Sequence, residues 1–89
     1  MQLYCANNNT IYSSVSAAAK HLNIDRTTIY YFLQGKRATA ANYIFRDITD
    51  QELSDNEISE LRRELLYSVF HIAPNFSAKP IIFEGGEKI

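Results

Sequence analysis

TIYSSVSAAAKHLNIDRTTIYYFLQGKRATAANYIFRDI, residues Thr10 to Ile48, is the stretch that decides the fold. Ser13 and Ser14 offer N-cap hydroxyls to a helix. In that helix Val15, Ala18, Ala19 and Leu22 fall on one face, while Ser16, Lys20 and His21 point away. Asn23 suits the left-handed residue just past a helix end, and Ile24 stands where such an end places its apolar contact. Asp25 is the expected cap of a second helix, Arg26–Gln34, with Gly35 as its left-handed stop. On a helical wheel Ile29, Phe32 and Leu33 gather on one side, and Arg26, Thr27, Tyr30, Tyr31 and Gln34 on the other. Asn42–Ile48 reads as a closing strand centred on Tyr43, Ile44 and Phe45.

Upstream, Leu3–Ala6 and Thr10–Tyr12 are β-prone runs around Asn7-Asn8-Asn9, and asparagine tolerates the left-handed backbone that tight hairpins require. Downstream, two capping boxes appear: Thr49 with Glu52, and Ser54 with Glu57. The main helix is expected from Asp55 to His71, ended by Pro74. Its apolar stripe is Ile58, Leu61, Leu65, Val69 and Ile72; Leu66 and Phe70 widen that stripe. Pro80–Glu84 is a last strand candidate, with Gly85-Gly86 as a turn and Lys88-Ile89 as a returning strand. Pro80–Ile89 also resembles the N-terminal hairpin, as a truncated repeat would. The expected fold class is α+β: an N-terminal β-hairpin, a helix-turn-helix, a closing strand, a longer C-terminal helix and a short β tail. The division is a unit at 1–48 with a small sheet, and an acidic helix with a hairpin-like tail at 49–89.

The net charge of −1 conceals an asymmetry. Residues 1–48 carry Lys20, Arg26, Lys36, Arg37 and Arg46 against Asp25 and Asp47. Residues 49–89 carry Arg62, Arg63, Lys79 and Lys88 against Asp50, Glu52, Asp55, Glu57, Glu60, Glu64, Glu84 and Glu87. A basic half facing a polyanion, joined to a separate acidic half, is the natural reading. No apolar run reaches the roughly 18–20 residues of a membrane helix, so no membrane partner is expected. The first residues, MQLYCANNNT, lack the basic and apolar regions of a signal peptide, and with one cysteine, Cys5, the expected location is cytoplasmic, in a bacterial or phage-infected cell.

Two short helices joined by a tight turn, the second polar on its outer face, fit a helix-turn-helix. A duplex major groove admits one helix, whose side chains must reach base edges while neighbouring cations hold phosphates. Arg26 and Thr27 open the second helix, and Lys36 and Arg37 follow its end. The expected DNA-binding set is Lys20, Arg26, Thr27, Tyr30, Tyr31, Gln34, Lys36 and Arg37. The segment 10–48 resembles the modular DNA-binding repeat found beside the nuclease domains of intron-encoded homing endonucleases and in many phage proteins. That pattern runs as a hairpin, a "Ser–x–x–Ala–Ala–x–x–Leu–Gly–Val–Ser" helix and turn, "Ile–x–x–x–Leu–x–Gly–Lys", and a closing "Gly–Tyr–x–Phe" strand. Val15, Ala18, Ala19, Leu22, Ile24, Ile29, Leu33, Gly35, Lys36, Tyr43 and Phe45 stand at matching places. Asn23, Asp25 and Asn42 replace the usual Gly, Ser and Gly, and Tyr30 and Tyr31 stand where small polar or basic residues are common. The resemblance implies a DNA-binding, targeting module or a small phage-type regulator of transcription, with the second helix placed in the major groove.

Nothing in residues 49–89 resembles a nuclease segment, and no phosphate loop, nucleophile elbow or metal-ligand motif occurs in the chain. No catalytic residue, metal or cofactor is therefore expected. His21 and His71 read as isolated surface histidines, Glu57, Glu60 and Glu64 as the wet face of a helix, and Cys5 as an unreactive strand residue. The expected partner is double-stranded DNA, with a homodimer through Leu66 and Phe70 covering the excess apolar width of the acidic helix. The alternative is a protein-binding adaptor or inhibitor that reuses this scaffold against a host protein. The weak overall charge favours that alternative, because most isolated DNA-binding domains are more basic.

Overall fold

A computed structural model of the chain describes residues 1–71 and 79–83. The chain runs β1 (Leu3–Cys5), β2 (Thr10–Tyr12), α1 (Val15–Leu22), α2 (Arg26–Leu33), β3 (Phe45–Asp47), α3 (Asp55–Phe70) and β4 (Ile81–Phe83). The strands form one sheet in the order β3-β1-β2-β4, antiparallel except for the parallel β2–β4 pair. This is the α+β class expected, with the hairpin, the two helices, the longer helix and the tail strand in place.

Alternation along β1 divides the molecule into layers. Leu3 and Cys5 point into a core shared with Tyr12, Val15, Ala17, Ala18, Ala19, Ile29 and Phe45, under α1 and α2. Tyr4, with Ala6 just beyond the strand, joins a second core with Ile44, Ile48, Ile58, Leu65 and Leu66, under α3. The helix pair and the acidic helix therefore occupy opposite faces of the sheet. The three alanines of α1 are all buried, which lets its backbone lie close to its neighbours. Ile29 is wholly buried and anchors α2; burying such a side chain contributes about 1.5–3 kcal/mol. Leu22, Ile24 and Leu33 pack half-buried around the same core.

The helix ends follow the sequence closely, with one exception. The Ser14 hydroxyl accepts from the Ala17 N–H at 3.0 Å. Asn23 is left-handed, and the Asn23 and Ile24 N–H groups both donate to the Ala19 carbonyl. Gly35 is left-handed at φ 81°, and the Lys36 N–H returns to the Tyr31 carbonyl at 2.9 Å. Asp25 occupies its cap position, but its side chain makes no capping hydrogen bond. Its backbone carbonyl instead accepts from the N–H groups of Thr28 and Ile29.

Three further expectations are corrected. The closing strand is Phe45–Asp47, shorter than Asn42–Ile48, because Ala41 and Asn42 are both left-handed. They form a two-residue turn in which Ala40 and Tyr43 exchange backbone hydrogen bonds of 2.8 and 2.9 Å. The Asn7 side chain braces that turn, donating to the Asn42 carbonyl and accepting from the Ile44 N–H. Of the two capping boxes, Ser54–Glu57 forms and opens α3. Thr49 opens no helix: its hydroxyl and N–H both donate to Asp47, holding that carboxyl below its usual range. Finally, α3 stops at Phe70, with His71 left-handed after it; Pro74, Ile72, Gly85-Gly86 and Lys88-Ile89 lie outside the described residues.

Leu66 is 6% exposed, packed with Leu65 against the chain's own sheet, and Phe70 is half-buried beside it. The excess apolar width that motivated a homodimer is thus covered within one chain. Arg62 ties α3 to the hairpin by donating from Nε to the Ala6 carbonyl at 2.8 Å and from Nη2 to that of Asn7 at 3.4 Å. His21 is exposed but not isolated. Its Nδ1 lies 2.7 Å from the Tyr12 hydroxyl, and its ring stacks on Phe83 of β4 at 4.4 Å.

Candidate nucleic-acid interface

The outer face of α2 follows from its inner one. Ile29 is drawn into the core with Phe32 and Leu33 half-buried beside it, so the remaining side chains are turned outward by the helical period. Arg26, Thr27, Tyr30, Tyr31 and Gln34 are exposed, Tyr30 by 43% and Tyr31 by 40%. Tyr30 and Tyr31 thus form an adjacent, partly exposed pair on this face. Phenol rings suit stacking and hydrogen bonding to a partner.

The cations bracket this face. Lys20 lies in the last turn of α1 and Arg26 at the first turn of α2. Together with Ser16, Ala19, Asn23, Ile24 and Asp25 they line an open hollow of about 450 Å³ between the two helices. The Arg26 Nη1 donates to the Ser16 hydroxyl at 3.3 Å, which draws the guanidinium back toward α1. Beyond the other end of α2, the Lys36 ammonium lies 5.4 Å from the centre of the Tyr31 ring, a cation–π contact that places its charge beside the exposed tyrosine. Arg37 is exposed next to it. Lys79 pairs with Asp55 across 4.0 Å, and no ion pair to a carboxylate of the described residues involves the cations of this face. Lys20, Arg26, Lys36 and Arg37 are thus not neutralised by a carboxylate there.

All eight residues expected at the interface are exposed. Six form a continuous band along α2 and past its end, with Lys20 joining at the hollow and Gln34 closing the helix as its cap. Sequence reasoning missed Ser16 as the partner of Arg26, because the two are ten positions apart and meet only through the turn. Arg46, counted in the basic half, pairs with Tyr4 across β1 and β3, is exposed, and lines an open groove with Tyr30, Leu33 and Gln34 at the edge of this band. Among the described residues no cluster of histidine, cysteine and carboxylate side chains has metal-binding geometry. Cys5 is buried, and burial pushes its thiol pKa up, which keeps it an unreactive core residue.

Comparison with known families matches residues 6–33 to the NUMOD1 domain, a helix-turn-helix DNA-binding module found with homing endonucleases and phage proteins. The match spans the hairpin turn, β2, α1, the turn and α2. It is the resemblance expected from the sequence, and it supports a DNA-binding module in that segment. Neither curated proteins nor solved structures gave a match. The strands β1, β3 and β4 and the helix α3 lie outside the matched segment yet complete its sheet and its second core.

Proposed function

We propose that the chain is a non-catalytic DNA-binding module of a small regulator, and that it places α2 in the major groove. The observation that carries this reading is the exposed face of α2, bracketed at both ends by cations that no carboxylate in the described residues neutralises. A major groove admits one helix, and α2 is a helix whose inner face is fixed by Ile29. Thr27, Tyr30, Tyr31 and Gln34 then lie over base edges, while Lys36 and Arg37 hold phosphates without reading sequence. The acidic outer face of α3, with Glu57, Glu60 and Glu64 exposed, lies across the sheet from α2 and is kept from the polyanion. That separation reconciles DNA binding with an overall charge of −1.

Equilibrium binding to a random-sequence 20-base-pair duplex at several salt concentrations tests the reading. Binding that weakens steeply with salt is expected, with a log–log slope near −0.9 per phosphate contact. Absence of binding at every salt concentration overturns it and leaves the protein-partner reading, with the exposed tyrosines as the docking face.

A further inference from the structure

We infer that the hollow between α1 and α2 is a phosphate grip, and that Arg26 works there and not on base edges. The inference rests on the DNA-binding reading and assigns Arg26 a different task from the one its position at the helix start suggests. At the start of a recognition helix a long cation is free to reach forward to a guanine. Here the guanidinium is drawn the other way: Nη1 donates to the Ser16 hydroxyl on α1 at 3.3 Å. That contact sets Arg26 beside Lys20 on the wall of the same open hollow, where an anion can approach both. The arrangement offers two cations and a hydroxyl to one anion. A guanidinium held in place loses less side-chain freedom when it binds.

Geometry supplies the second argument. Lys20 and Arg26 stand by the start of α2, and Lys36 and Arg37 lie past its end, beyond Gly35. Phosphates line both edges of a groove, so cations at the two ends of a helix seated in it meet different backbones. Lys20 and Arg26 take one strand, and Lys36 and Arg37 the other. Base reading falls to the side chains between them: Thr27, Tyr30, Tyr31 and Gln34. Asp25 also lines the hollow, and its carboxylate makes no capping bond. It works against a phosphate there and restrains the affinity of the grip.

The test uses the full chain and its K20A, R26A, R26K and D25N variants. Each is titrated against a random-sequence 20-base-pair duplex pool at several salt concentrations, and each is used to select preferred sequences from that pool. K20A and R26A are expected to weaken binding to all duplexes alike and to flatten the salt slope by about 0.9 each. R26K is expected to restore the slope, since a phosphate accepts either cation, and D25N to tighten binding to every duplex. The selected base preferences should be the same with and without Arg26. An unchanged slope in R26A overturns the inference. So does the loss of preference at particular base positions that R26K does not restore, the signature of a bidentate base contact. In both cases wild-type binding to DNA stands, whereas a wild-type chain that binds no duplex overturns the DNA-binding reading and the grip together.

Discussion

Replacing Asn9 probes how the hairpin carries the fold. Asn9 is left-handed at φ 54° and nearly buried. Its Oδ1 accepts the buried Tyr4 hydroxyl at 2.6 Å, and its Nδ2 donates to the Lys79 carbonyl at 3.2 Å. Its own carbonyl accepts from the Ile81 N–H at 2.9 Å, which begins the β2–β4 pairing. Asn9→Ala forces an L side chain to keep a left-handed backbone, at about 1–2 kcal/mol. It removes the acceptor of a buried hydroxyl, at about 1–3 kcal/mol, and a half-exposed amide bond worth roughly 0.5–1 kcal/mol. The expected loss is roughly 3–5 kcal/mol, a large part of the stability of a domain this size. Asn9→Gly escapes the backbone part, so it should be more stable than Asn9→Ala by roughly 1 kcal/mol despite the entropy of glycine in the unfolded chain. Urea unfolding followed by circular dichroism, with slopes compared among variants, measures both. A loss below about 1 kcal/mol for Asn9→Ala, or glycine no better than alanine, refutes the reasoning.

Three further outcomes follow from other parts of the fold. Ala41→Gly should stabilise the chain by up to about 1 kcal/mol, because Ala41 holds φ 52° where glycine carries no Cβ penalty; an unchanged or lower urea midpoint contradicts the turn described for residues 40–43. Leu66→Ala should cost about 2–5 kcal/mol, by the same amount at low and high protein concentration, since the side chain is buried within one chain; a concentration-dependent loss places it at an interface between copies. Burial pushes the Tyr4 hydroxyl pKa up to about 12 and raises that of Tyr12. The fold therefore favours the neutral phenols: their contribution is fully present below pH 10 and is lost as the pH rises from 10 toward 12, on the order of 2–3 kcal/mol for Tyr4. Tyr4→Phe should flatten that alkaline decline in a pH series of urea midpoints, and an equally steep decline in the variant rules the assignment out.

Local chemistry that acts within a few residues was readable from the sequence. Ser14, Asn23, Gly35 and the Ser54–Glu57 box each work within one helical turn, and each sits where its residue type implies. The periodicity of α2 likewise separated Ile29 from the exposed tyrosines, and so gave the candidate interface. What escaped depends on contacts across the sheet. Asn7 bracing the 40–43 turn, Arg62 reaching the hairpin carbonyls and His21 stacking on Phe83 join residues far apart in sequence. The closing strand begins later than the strand propensity of Tyr43 and Ile44 implies, because Ala41 and Asn42 hold a left-handed turn that tertiary packing imposes. Leu66 appeared surplus on a helical wheel because the wheel assumes one narrow buried stripe. Here α3 lies broadly enough on the sheet that Leu65 and Leu66 are both buried.

Backbone amide chemical shifts, followed while a 20-base-pair duplex is added to the full chain, test the central claim most directly. The account predicts that the largest changes fall on residues 26–37 and at Lys20, with α3 at Glu57, Glu60 and Glu64 unmoved on the opposite side of the sheet. Changes centred on α3, or shifts that ignore α2 while DNA is bound, would contradict it.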